Sequence, residues 1–212
     1  VKVSRRALFA GLAALATAAQ ARSRLLGDMP SPAMLSAGVI ARDRRGRIVL
    51  READGAVFGS GARFTLGSPF RVASVSKMVT TYVFMRLVRA GRIGLDDDVA
   101  KVIPDNLRHP LWPDVAVTPR LLLSHQSGLR NGDDYPVRFG DRLFERLAAA
   151  RDEPRYGGWY APPDEMPGRY FAYADVNTTV IAALMETITG GRFDLYMREA
   201  LFAPNKLDIG YN

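Results

Sequence analysis

The chain has 212 residues, 48% hydrophobic and 24% charged, with a formal net charge of +7. That balance is globular rather than disordered, and no apolar run reaches the ~18 residues that argue for a membrane-spanning bundle. With no cysteine, and His109 and His125 as the only histidines, the composition excludes disulfides, cysteine-based zinc sites, thiol catalysis and a three-histidine metal site.

The positive charge is carried mostly by arginine spread along the chain, which reads as a solvated surface; no nucleic-acid-binding motif accompanies it. Ser4-Arg5-Arg6-Ala7-Leu8-Phe9 is followed by a short, moderately apolar stretch through Ala16 and then by Ala19-Gln20-Ala21, with small residues placed for cleavage. Residues 1–21 therefore predict an export signal of the twin-arginine type, and a periplasmic or secreted mature protein from residue 22. A cysteine-free exported protein needs a full-sized core in place of covalent staples.

Ala37-Gly38-Val39-Ile40-Ala41 and Ile48-Val49-Leu50 flank Arg42-Asp43-Arg44-Arg45-Gly46 and predict a β-hairpin. Residues 55–67 are glycine-rich, predicting loop with a short strand. The most apolar helical stretch covers 73–88, with Gly91 placed to end it. Thr118-Pro119 is an N-cap and first-turn pair for a short helix through Leu123. Loops at 131–141 and 151–168 surround a helix near 142–150. A helix over 175–189 stops at Gly190-Gly191, and a last one covers 193–201. The mature part reads as one mixed α/β unit, with strands at its start and helices after them.

Ser74-Val75-Ser76-Lys77 places a serine at the start of the apolar helix and a lysine one turn on, on the same face. Free backbone N–H groups at a helix start suit a developing oxyanion. A lysine in so apolar a helix is expected to have a lowered pKa, as a base beside a nucleophilic hydroxyl requires. No G-x-S-x-G elbow is present. Tyr173 falls on a loop just before the 175–189 helix, and by itself reads as an ordinary rim residue. His125, in Ser124-His125-Gln126-Ser127-Gly128, reads as a structural histidine bonding a turn, because no carboxylate lies at an orienting distance in the sequence. Asp96-Asp97-Asp98 suits a helix N-terminus better than a metal.

These pieces occur in one order: S-x-x-K at 74–77, G-x-I-x-L-D-D-D-V at 91–99, L-L-L-S-H-Q-S-G-L at 121–129, P-G-x-x-F-x-Y at 167–173, and the helix N-T-T-V-I-A-A-L-M-E-T-I-T-G at 177–190. The series resembles the serine β-lactamase-related family of class C β-lactamases, D-alanyl-D-alanine carboxypeptidases and esterase relatives, over about residues 37–210. The resemblance implies an α+β, β-lactamase/transpeptidase-like fold, with a helical region packed on an antiparallel sheet. It also implies Ser74 as the acylated nucleophile, Lys77 as the group that takes or relays its proton, and Tyr173 as general base near the leaving group. No metal or organic cofactor is implied. Expected substrates are small esters, β-lactams or peptidoglycan peptides.

Two departures stand out. The family's Y-x-N element ends here in Asp175, with Asn177 two residues on. Both are candidate substrate-contacting residues. An Asp near Lys77 would favour the ammonium, shifting the base role toward Tyr173 or the amide contact to Asn177. The family's third motif, K-T-G or H-x-G, is also not found: after Tyr173 there is one lysine, Lys206, and no histidine. The chain is therefore expected to be an incomplete hydrolase domain without its C-terminal strands. Loss of one oxyanion donor costs ~100–1,000-fold in turnover. The alternative expectation is a non-catalytic protein that binds cell-wall peptides, or a degenerate fragment of the same fold.

Overall fold

The computed structural model describes residues 36–57, 59–103, 107–136 and 142–211. The expected export signal at 1–21 lies outside the described residues. The chain divides into two compact units, one ending at Arg71 and the other beginning at Val72.

In the first unit, β1 (Ser36–Arg42) pairs antiparallel with β2 (Ile48–Gly55), with an irregularity at Ala41/Arg42. The predicted hairpin forms because Asp43 organises its turn: the carboxylate accepts from the N–H groups of Arg45 (2.8 Å) and Arg47 (2.9 Å), and Gly46 supplies the positive φ. An isolated bridge between Ala56 and Arg63 supplies the short pairing expected in the glycine-rich stretch. Phe64 is buried, edge-on to Phe70 at 6.1 Å.

The second unit is helical. α1 (Val75–Arg89) buries Thr80, Val83, Phe84 and Leu87 along one stripe. Met78 and Tyr82, on another face, are 73% and 59% exposed. α1 ends as the sequence predicts: Gly91 takes a positive φ, its N–H reaches the Val88 carbonyl, and the Arg92 N–H reaches Leu87. α2 (Pro119–Leu123) is capped by the Thr118 hydroxyl, which accepts from the Leu121 N–H at 3.3 Å.

α3 (Leu143–Ala149) leads into tight turns at Ala150–Asp152 and Pro154–Gly158. α4 (Asp175–Thr189) stops where Gly190 turns left-handed at φ 74°. Its buried stripe of Val176, Val180, Ile181, Leu184 and Met185 is the spine of the core, and each such side chain contributes about 1.5–3 kcal/mol by burial. α5 (Phe193–Met197) departs from the single helix expected over 193–201. From Arg198 the turn widens, with the Ala203 N–H bonding the Arg198 carbonyl at 2.8 Å, and Phe202 is buried in the core.

The Asp96–98 run is taken up by structure. Asp96 pairs with Arg120 at 2.7 Å, Asp97 accepts from the Gly94 N–H at 2.6 Å, and Asp98 caps the turn at Val99–Lys101 while pairing with Arg108. Among the described residues no group of three or more His, Asp or Glu could hold a metal, and no helix is long and apolar enough to cross a membrane.

Candidate active site

The N-terminal ends of α1 and α4 meet, and that meeting builds the site. Ser74 is the N-cap residue of α1 and is exposed. Lys77 lies one turn on, and its Nζ donates to Ser74 Oγ at 3.1 Å. Tyr173 is contributed by the segment leading into α4, and its Oη lies 2.7 Å from Ser74 Oγ although the two residues are 99 apart in sequence. Asp175 opens α4; its Oδ1 accepts from Lys77 Nζ at 2.5 Å and from Tyr173 Oη at 3.3 Å. The lysine head also stands 5.2 Å from the Tyr173 ring centroid. Four of the five expected residues thus share one cluster around a single hydroxyl.

Two expectations need correcting. Burial in the apolar helix does pull the Lys77 pKa down, but hydrogen bonds and charge from Asp175 and Tyr173 outweigh it, and the ammonium is held above the usual lysine range. The same pair, led by the Lys77 hydrogen bond, pulls Asp175 below the usual carboxylate range. The second correction concerns α1's first turn. The N–H groups of Val75, Ser76 and Lys77 already donate to the carbonyls of Val72, Ala73 and Ser74 at 3.0–3.1 Å. Among the described residues, Ser74's own N–H is the one in this turn with no backbone acceptor. Just before it, Ala73 takes φ 45°, in the left-handed region.

Asn177, expected at the substrate, is placed elsewhere: it is 1% exposed and its amide is committed inside the protein. Its Oδ1 accepts from Ser127 Oγ at 2.5 Å, and its Nδ2 donates to His125 Nδ1 at 3.1 Å and to the Ala174 carbonyl at 3.3 Å. The helical period turns this first-turn residue of α4 inward, beside Val176 and Val180.

The His125 side chain reaches beyond the turn that its own N–H helps to close. Its Nδ1 accepts from the Ala174 N–H at 3.3 Å, and its ring lies 4.6 Å from that of Tyr173. Burial, then the charge of Lys77, lower its pKa. Asn131 was not singled out by sequence. Its Nδ2 lies 3.4 Å from Asp175 Oδ2 and its Oδ1 accepts from the Val176 N–H at 3.1 Å, so it braces the carboxylate against α4. A loop asparagine carries no periodic signal that would have revealed this.

A hydroxyl touched by both an ammonium and a phenol is suited to nucleophilic acyl transfer, and the chain belongs to the beta-lactamase family, whose profile matches residues 17–212. Its fold is the β-lactamase/transpeptidase fold. Penicillin-binding protein 4 of Amycolatopsis lactamdurans is 31% identical over 146 residues, covering 69% of this chain and 36% of that protein. Monacolin J acid methylbutanoyltransferase of Aspergillus terreus is 27% identical over 153 residues, covering 65% and 36%. The chain therefore spans about a third of the length of these curated relatives. Among solved structures, EstCE1, a hydrolase with promiscuous acyltransferase activity, superposes with a TM-score of 0.67 at 23% identity, over 93% of this chain and 53% of its own. The octameric penicillin-binding protein homologue from Pyrococcus abyssi superposes at 0.65 and 21% identity, over 96% and 44%.

Proposed function

We propose that this chain carries the acylation site of an exported serine hydrolase. Ser74 Oγ attacks an ester or amide carbonyl; its proton passes to Tyr173 Oη as the phenol hands its own to the Asp175 carboxylate, the Lys77 ammonium stabilises the developing alkoxide, and the proton returns through Tyr173 to the leaving group. Water subsequently hydrolyses the acyl-enzyme. The observation that carries this reading is the convergence of Lys77 Nζ (3.1 Å) and Tyr173 Oη (2.7 Å) on one exposed hydroxyl. Small esters, β-lactams and D-Ala-D-Ala peptides are the proposed substrate classes, supported by the family and by the names of its penicillin-binding and acyl-transferring relatives. Export is supported by the pattern at 1–21.

The test is intact-mass analysis of the chain, recovered from the exported fraction of producing cells, after incubation with a fluorophosphonate or a labelled penicillin. One adduct is expected, absent in Ser74→Ala. A folded chain that forms none would sink the acyl-enzyme reading. Asp175, which fixes Lys77 as an ammonium, favours a second reading: a site that binds cell-wall peptides without acylation. That reading predicts saturable binding and no adduct.

A further inference from the structure

His125 occupies a position that a histidine takes only at a cost. α2 ends in a paired motif, in which the His125 N–H bonds the Leu122 carbonyl at 3.1 Å and the Gln126 N–H bonds Leu121 at 2.8 Å. The residue between them must be left-handed, a place usually given to glycine, and His125 fills it at φ 55°. The conformation turns both polar ends of the residue toward one segment. The His125 carbonyl accepts from the Ala172 N–H at 2.9 Å, and its Nδ1 accepts from the Ala174 N–H at 3.3 Å. The N–H groups of the two residues flanking Tyr173 are therefore both held by one residue, whose ring also lies against the phenol, tilted by 38° at 4.6 Å between centroids.

We propose that His125 is a positioning residue for Tyr173, acting as a neutral Nε2–H imidazole whose Nδ1 and carbonyl clamp the segment that brings the phenol to Ser74. The proposal rests on the acyl-enzyme reading for its consequence in catalysis, but not for its geometry. The tautomer follows from the donors: a peptide N–H and the Asn177 amide both point hydrogens at Nδ1, and Asn177 is oriented by accepting from Ser127. Protonation would place a hydrogen on Nδ1 against two donors, and a second positive charge near Lys77 of α1. Of the titratable groups facing the ring, Lys77 opposes protonation, Asp175 of α4 favours it, and the Tyr173 phenol lies against its face. Burial and Lys77 prevail, so the clamp holds through neutral pH and opens on the acid side of the ordinary histidine value.

Three measurements on the full chain test this. Long-range proton–nitrogen correlation spectra should show His125 as the Nε2–H tautomer at neutral pH, titrating below the ordinary histidine value. An Nδ1–H tautomer, or a midpoint at or above that value, overturns the proposal whether or not the chain is acylated. His125→Gly relieves the backbone strain and keeps the carbonyl bond but leaves the Ala174 N–H and the Asn177 amide without their acceptor, so its fold is verified by near-UV circular dichroism before labelling. Its Ser74 labelling should slow by about 100-fold, the scale of a small misplacement of a reacting group. Parent-like labelling in this variant would overturn the proposal. His125→Asn can offer Oδ1 in place of Nδ1 and tolerates the left-handed turn, so it should recover most of the rate and lose the acid limb of the pH profile. An acid limb unchanged in this variant would also count against the clamp. If the parent chain is not labelled at all, the acyl-enzyme reading fails by itself, and the tautomer and midpoint decide the proposal alone.

Discussion

Asp175 brings a carboxylate within 2.5 Å of the lysine that a serine nucleophile would otherwise use as a base. An ammonium so paired can donate to Ser74 Oγ and stabilise negative charge there, but it has no lone pair for a proton. Removing the countercharge shifts the balance toward burial, which is then opposed by Tyr173 without the help of Asp175. In Asp175→Asn, the carbon-13 chemical shift of Lys77 Cε should titrate about 1 unit lower or more. The chain has four lysines, which makes the signal assignable. An unmoved midpoint would show that Asp175 does not set the charge state of Lys77. Half-exposed as it is, the pair is not expected to add much to global stability.

The elements were more legible than the contacts between them. α1, α2 and α4 announce themselves through apolar period and end signals, Gly91, Thr118-Pro119 and Gly190. The Ser74–Lys77 contact follows from helical spacing alone, since residues three apart share a face. Tyr173 was legible only through the order of motifs, because nothing local relates a loop tyrosine to a helix 99 residues earlier. The clamp of His125 was hidden because it depends on a left-handed φ that sequence pattern gives no reason to expect of a histidine. Asn177 was misplaced for the opposite reason: proximity to the motif suggested the substrate, whereas the first turn of α4 rotates it into the core. The widening after Met197 was likewise invisible, since the same residues fit an ordinary helical turn.

For the molecule as a whole, the second histidine sets an acid boundary. His109 is 2% exposed, with Nε2 3.1 Å from the Ala161 carbonyl and Nδ1 accepting from the Leu111 N–H at 3.1 Å. Burial lowers its pKa from 6.5 to about 4. The unfolded chain therefore takes up this proton before the folded one does, so the contribution is complete above pH 6.5 and is lost as pH falls toward about 4. The paired carboxylates, with folded pKa values below their ordinary range, lose their contributions lower still. Tm should thus decline across the window from pH 6.5 to about 4, with a shallower slope in His109→Gln. A flat Tm across that window would refute the assignment.

Ala73 carries a different consequence. An L-residue at φ 45° costs about 1–2 kcal/mol relative to a right-handed conformation, and here it immediately precedes the nucleophile. Some of the unit's folding free energy is thus held as backbone tension that aims Ser74 at its partners. Glycine would release that tension, so Ala73→Gly should raise Tm while letting the hydroxyl wander and slowing its labelling. The most heat-resistant version of this chain would then not be its fastest, and selection for thermal tolerance alone would begin to dismantle the site at the residue before the serine.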